Sequence, residues 1–206
     1  MSNEIDGIIK YNFDFQQTEP LSKELWNEIE EVRERLYKLN MIGVYPNGIG
    51  FGNISKRINE KAFVITGTQT GDLEQLSNEH YSLVEEFDDS KFYLKSKGAI
   101  KASSEALTHG TIYNLSDDIN AVIHIHSLNL WKFMIANNFL VTNDVSYGSQ
   151  EMIDDIKKLY TENSLSNSKF AMIGHEEGII TFGKNIKEAE GNLLELVGEF
   201  IKTQDF

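Results

Sequence analysis

The sequence contains no cysteine. That removes disulfides and thiolate metal ligands together, and leaves His, Asp and Glu to build any transition-metal site. Basic residues are scarce as well: 19 Lys and Arg stand against 32 Asp and Glu, a formal net charge of −13. A surface of that sign repels polyanions and no basic cluster offsets it, so nucleic acid is not expected as a partner. Long apolar runs are missing. Nothing approaches the ~20 residues of a membrane span, and Met1–Asp6 has neither the basic region nor the apolar core of a secretory signal. The expectation is a soluble, cytoplasmic protein with no membrane partner. The sequence shows no internal repeats, low-complexity segments or linkers. What is present is 206 residues, 40% hydrophobic and 11% aromatic, enough for one sizeable core. The reading is a single domain over 1–206, with 1–20 as an N-terminal extension.

The densest chemistry lies between Lys101 and Ser127. Ala121, Ile123 and Ile125 alternate with Val122, His124 and His126, the period of a strand, so both imidazoles point to one face about 7 Å apart along it. That separation lets two histidines share one metal ion. Upstream, Ser103 or Ser104 can cap a helix that carries Glu105, His109 and Tyr113 at successive i+4 positions, aiming a carboxylate from the helix start toward such an ion. Taken singly, a histidine pair in a strand is as readily a hydrogen-bonded core feature, and Ser-Ser-Glu an ordinary cap with a first-turn acid. Their adjacency through one short turn favours a site.

The remaining chain reads as packing elements joined by loops. Ile8–Phe15 alternates like a strand and ends before Pro20. Ser22 then caps a helix through Asn40 with Leu25, Ile29, Val32 and Leu36 on one stripe, and the charge run Glu28–Arg35 reads as its solvated face. Tyr45–Ser55 holds three glycines at two-residue spacing, but a strand-like segment follows it where a dinucleotide fold needs a helix, so Rossmann binding is rejected. A second loop, Thr66–Gly71, ends the strand Ala62–Thr66 and precedes an apparent helical pattern of Leu73, Leu76, Leu83, Val84 and Phe87. Either loop can bring backbone N–H groups to an anion, or be an ordinary turn. Neither is a P-loop. Helices are expected over Leu128–Asn138, after a Ser149 cap, and after Asn185. Phe170–Gly183 reads as a hairpin of buried strands with His175 at its tip. A loop histidine alone is usually exposed, and this one matters because the strand pair lacks a third ligand.

Gly52-Asn53-Ile54-Ser55, the Thr-Gly elements between Ile65 and Gly71, Ser103-Ser104-Glu105 with His109 and Tyr113, Ala121–His126, and Gly183–Ala189 after His175 occur in one order. In that order the sequence resembles the class II aldolase and adducin superfamily, whose members include aldolases, sugar-phosphate epimerases and dehydratases. The resemblance runs from about Leu25 to the C-terminus. It implies a three-layer α/β/α sandwich, commonly tetrameric, with a divalent ion, most often Zn2+, held by His124, His126 and His175. It also implies a phosphate pocket at Gly52, Asn53, Thr70, Gly71, Ser103 and Ser104, with Glu105 as acid/base. The implied activity is that of a lyase on a small phosphorylated sugar or ketose, a retro-aldol cleavage through a metal-stabilised enediolate. The alternatives are 4-epimerisation or dehydration of a sugar phosphate, a metal hydrolase using Glu105 on water, and a non-catalytic adducin-like assembly domain.

The sequence also departs from that pattern. Members usually carry a histidine directly before the glycine of the third motif, whereas Glu176 and Glu177 separate His175 from Gly178. Either His175 ligates from a longer turn or Glu176 contributes an oxygen. The tyrosines that the aldolases bring from a neighbouring subunit have no clear counterpart in Asn137–Gly148 or before Phe206, and Tyr147 is the substitute candidate.

Overall fold

The computed structural model describes residues 8–163 and 168–204; the first seven residues of the expected N-terminal extension lie outside them. In chain order the elements are β1 (Asn12–Gln17), α1 (Lys23–Lys38), a small hairpin of β2 (Gly43–Val44) and β3 (Gly50–Phe51), β4 (Asn53–Asn59), β5 (Ala62–Thr66), β6 (Tyr81–Asp88), β7 (Tyr93–Gly98), α2 (Ala106–Leu115), β8 (Ala121–His126), α3 (Leu128–Ala136), α4 (Gln150–Asn163), β9 (Lys169–Ala171), β10 (Gly178–Gly183) and α5 (Ile186–Thr203). Eight strands form one sheet in the order β1-β7-β6-β5-β4-β8-β10-β9. Every neighbouring pair is antiparallel except β1 with β7.

Helical periodicity sorts the helices onto the two faces of this sheet. Ile29, Val32 and Leu36 of α1, Leu130 and Met134 of α3, and Ile186, Leu193 and Leu196 of α5 pack with Ile54, Ala121, Ile123, Ile125 and Ile179. On the opposite face Leu107 and Ile112 of α2 and Met152, Ile153 and Ile156 of α4 pack with Phe63, Ile65, Val122, Ile180 and Phe182. The result is the expected α/β/α sandwich. Central strand β8 is buried on both faces along its whole length, as a strand covered by helices on each side must be. Two caps form where the sequence suggests, the side chains of Ser149 and Asn185 accepting from the amides of Met152 and Glu188 and satisfying donors that a helix start leaves open, whereas Ser22 stands at the N-cap of α1 without a side-chain cap bond.

Two expectations fail. The apparent helix from Leu73 to Phe87 is a loop, a short 3-10 turn at Asn78–His80 and then strand β6. A register shift between Val84 and Glu86 explains the false helical spacing. The extra residue returns Val84 and Phe87 to the same face although they stand three apart, while Tyr81 and Leu83 face the other side. The charge run Glu28–Arg35 is not uniformly solvated either, because Arg33 is 1% exposed. It stands i+4 from Ile29 and i−3 from Leu36, inside the apolar stripe. A smaller difference is the first strand, which spans Asn12–Gln17 rather than Ile8–Phe15.

Candidate active site

The pleat of β8 turns His124 and His126 to the α2 side, because Ala121, Ile123 and Ile125 take the other. Two flanking strands then complete the register. Asn53 of β4 lies opposite His124, and Gly178 of β10 lies opposite His126. Directly opposed residues share a face, so Asn53 joins the histidines, and the missing side chain at Gly178 leaves room for imidazoles. The turn between β9 and β10 folds His175 back over that gap; it is buried, not exposed as an ordinary loop residue would be. Glu176 is exposed, and the group of side chains able to share an ion, among the described residues, consists of the three histidines alone.

Three imidazole nitrogens converge. His126 Nε2 is 3.0 Å from His124 Nε2 and 3.1 Å from His175 Nε2. His124 Nδ1 lies 3.1 Å from the carbonyl oxygen of Ile179, an atom that only accepts, so the proton of this ring sits on Nδ1. His126 Nδ1 is 2.7 Å from the Tyr45 hydroxyl. Burial, reinforced by His175 and His124, holds His126 well below its ordinary pKa and so neutral, the state ligation requires. Two bare lone pairs this close repel, so a proton or a cation must lie between such nitrogens. Spacings near 3 Å suit ligands about 2.0–2.1 Å from a shared ion. The donor set, three imidazole nitrogens with no thiolate, fits a divalent ion that keeps an open position.

Glu105 occupies the N-cap position of α2, one residue before the expected first turn, and its side chain makes no cap bond. Ser103 does the local work, its hydroxyl oxygen accepting from the Glu105 amide. The Glu105 carboxylate instead reaches the imidazoles: Oε2 is 2.9 Å from His124 Nε2 and accepts from Asn53 Nδ2 at 2.9 Å. Oε1 is buried, has no hydrogen-bond partner and stands 3.6 Å from His175 Nε2. Burial pushes this carboxyl up, but His124, with His175 and His126 behind it, outweighs that and holds it well below the usual carboxylate range. One turn on, His109 is wholly buried, hydrogen-bonded through Nδ1 to Ser55 Oγ at 2.7 Å, and driven by burial to a pKa of about 3. Ser55 Oγ also meets the Tyr113 hydroxyl at 2.7 Å. The stripe of Glu105, His109 and Tyr113 therefore faces the sheet as its spacing predicts, with only its first member at the cleft.

These groups open onto one cleft. Gly52, Asn53, Thr70, Gly71, Ser103, Ser104, Glu105, His126 and His175 all line it; His124 is the member of the histidine triad that does not. Two of the glycines are sterically enforced. Gly52 has φ +78° and an added Cβ would stand 2.8 Å from Ile42 Cγ1, while a Cβ on Gly71 would run into the carbonyl of Gly43. Two side-chain donors proposed for this cleft are already engaged. Asn53 Nδ2 is committed to Glu105, and the Thr70 hydroxyl donates to Gly67 O at 3.0 Å.

Sequence reasoning missed three contributors. Gln69, in the left-handed region at φ 56°, accepts from the Gly50 amide through Oε1 and links the two loops. Buried Arg33 donates to the carbonyls of Thr70 and Glu74 at 3.1 and 2.8 Å, bracing the second loop with a full positive charge; its place within the α1 stripe was the available signal. Lys10, in the N-terminal extension, lies 4.0 Å from the ring centroid of Tyr147 and donates to the Tyr147 carbonyl. Tyr147 in turn stacks on His175 with centroids 4.7 Å apart.

Against known proteins, the family model described as Class II Aldolase and Adducin N-terminal domain matches residues 46–199. Among solved structures, YgbL from Escherichia coli superposes with a TM-score of 0.66 at 17% identity, covering 88% of each chain. An L-fuculose 1-phosphate aldolase gives 0.65 at 19% identity over 89% of this chain and 85% of that one. A sugar-phosphate aldolase from Thermotoga maritima gives 0.59 at 18% over 89% and 98%. At these identities the structural likenesses speak for the fold.

Proposed function

Because the chain belongs to the Class II Aldolase and Adducin N-terminal domain family, we propose that it is a metal-dependent lyase, using zinc, that cleaves a small phosphorylated sugar or ketose by a retro-aldol reaction. The observation that carries this reading is the convergence of a buried imidazole triad, a buried carboxylate and two backbone-lined loops. An ion held by His124, His126 and His175 would supply Lewis acidity toward a carbonyl or hydroxyl oxygen.

The rest is the work of the chain's own residues. Asn53 holds Oε2 of Glu105, which leaves Oε1, without a hydrogen-bond partner, as the atom that takes and returns the proton at the carbon or oxygen beside the broken bond. With a net charge of −13, the protein needs local donors for a phosphate. Backbone N–H groups around Gly52 and Gly71 and the hydroxyls of Ser103 and Ser104 supply them, with Arg33 lending its charge through the Thr70 peptide. Phosphate bound there keeps the reacting end of the substrate in register with Glu105. The reading extends to a single-domain, cytoplasmic homotetramer, which light scattering would report as four times 23.5 kDa.

A screen of phosphorylated ketoses against zinc-loaded protein, with products identified by mass, tests the reaction. Two fragments whose masses sum to the substrate are expected. An isomer of equal mass would replace cleavage by epimerisation, and loss of water would replace it by dehydration. Silence across the screen, with zinc bound, would favour the adducin-like assembly domain.

A further inference from the structure

The two residues that separate His175 from Gly178 include Glu177, and its carboxylate turns back toward the metal-site strand. The phenol of Tyr45 sits between this carboxylate and His126. It is 2.8 Å from Glu177 Oε2, to which it donates, and 2.7 Å from His126 Nδ1. A hydroxyl has one proton to give, and a carboxylate oxygen only accepts. With the phenol proton spent on Glu177, the phenol oxygen is left to accept from His126 Nδ1–H. A proton on Nδ1 leaves the lone pair on Nε2, the nitrogen 3.0 and 3.1 Å from those of His124 and His175.

Both partners are held in place. Tyr45 opens the turn between β2 and β3, its amide donating to Ile49 O, and its ring packs on Phe51 with centroids 4.5 Å apart. Glu177 adopts φ 71°, a left-handed conformation that an L residue keeps only where its surroundings hold it. Its carbonyl accepts from the Ser127 amide at 2.9 Å. The turn bearing His175 and the end of the strand bearing His126 are therefore tied together at Glu177 by backbone, and through Tyr45 by side chain.

We infer that Tyr45 and Glu177 are positioning residues of the metal site: Glu177 orients the phenol, and the phenol fixes His126 in the tautomer whose Nε2 faces the ion. Glu177 takes no part in the ligand set, which among the described residues is the histidine triad. The inference rests on the reading of that triad as a metal site.

The tautomer itself is measurable without any variant. Long-range 1H–15N correlation on metal-free wild-type protein is expected to show His126 protonated on Nδ1, and an Nε2–H form would overturn the inference. Zinc affinity, read by chelator competition, is expected to fall about 10–100-fold in Tyr45→Phe, as for other outer partners of ligating histidines. Glu177→Gln keeps an acceptor oxygen for the phenol and should stay within a few-fold of wild type. Glu177→Leu frees the phenol to donate to His126 Nδ1, so the proton moves to Nε2 and affinity drops. Adding Tyr45→Phe to that variant removes the misdirected donor and should recover part of the loss, which a purely structural contact would not do. Unchanged zinc affinity in Tyr45→Phe would overturn the inference. Wild-type protein that binds no zinc would instead defeat the lyase reading, while the His126 tautomer in the same sample still decides the pair.

Discussion

Replacing Glu105 with glutamine separates chemistry from structure at the centre of the cleft. An acid in a helix first turn contributes about 0.3–1 kcal/mol through the helix dipole. Glu105 has little of even that role, since it stands at the N-cap without a side-chain cap bond and points toward the imidazoles. A glutamine carbonyl can still accept from Asn53 Nδ2, the bond that Oε2 now makes. The stability change should therefore stay within about 1 kcal/mol, which for a chain of this size moves Tm by about 2–4 °C. The catalytic effect is larger. Oε1 is the oxygen without a hydrogen-bond partner, and general acid–base transfer is typically worth about 10²–10⁴ in rate, or roughly 2.7–5.5 kcal/mol of barrier. The assay measures turnover of the identified substrate together with zinc content and Tm. We expect both of the latter close to wild type and a rate at least about a hundredfold lower. Turnover within a few-fold of wild type would refute the proton role, and His109, buried at a pKa of about 3, is poorly placed to inherit it. Zinc lost along with activity would make Glu105 a ligand.

Zinc at a hundred times its dissociation constant should stabilise the protein by about 2.7 kcal/mol, raising Tm by roughly 5–11 °C. His124→Ala and His126→Ala should abolish that shift, and full metal content in both by elemental analysis would put the site elsewhere. Inorganic phosphate at ten times its dissociation constant should add about 1.4 kcal/mol, and Ser104→Asp should remove the effect; protection that survives this change would sink the pocket assignment. Acid stability should track His109, whose pKa falls from 6.5 to about 3 on folding because burial disfavours the charged ring. Between those values the unfolded chain holds a proton that the folded chain does not, so stability rises with pH there and is lost on acidification, by up to about 5 kcal/mol. Denaturant melts across this window should show a flatter pH dependence in His109→Gln, and an unchanged slope would refute the assignment.

Much of the candidate site was legible because local periodicity carried it. Alternation in Ala121–His126 predicts that both imidazoles share a face, and i+4 spacing predicts that Glu105, His109 and Tyr113 share a stripe; each follows from the geometry of one element. The same logic failed where an element is irregular. The register shift in β6 makes a strand mimic helical spacing, and no window of sequence displays a bulge. The stripe rule also misjudged Arg33, whose charge argued for solvent while its position argued for the core. Its carbonyl partners at Thr70 and Glu74 stand about forty residues away and had to be folded into place before that burial became tolerable.

By itself, the sequence determined the ligand chemistry and the local aim of each group: nitrogen and oxygen donors in the absence of cysteine, two histidines on one strand face, a carboxylate at a helix start. The meeting of these groups belongs to the tertiary structure alone. Pairing of Gly178 with His126 and of Asn53 with His124 brings together residues 52 and 71 positions apart in the chain. A one-residue slip in either register would turn the same side chains to the opposite face of the sheet. Register is set by which apolar residues both sheet faces can bury against the helices, a balance struck over the whole sandwich. That is why His126 Nε2 lies about 3 Å from the Nε2 atoms of both His124 and His175, and why Tyr45 and Glu177, remote in sequence from each other and from His126, close the circuit behind them.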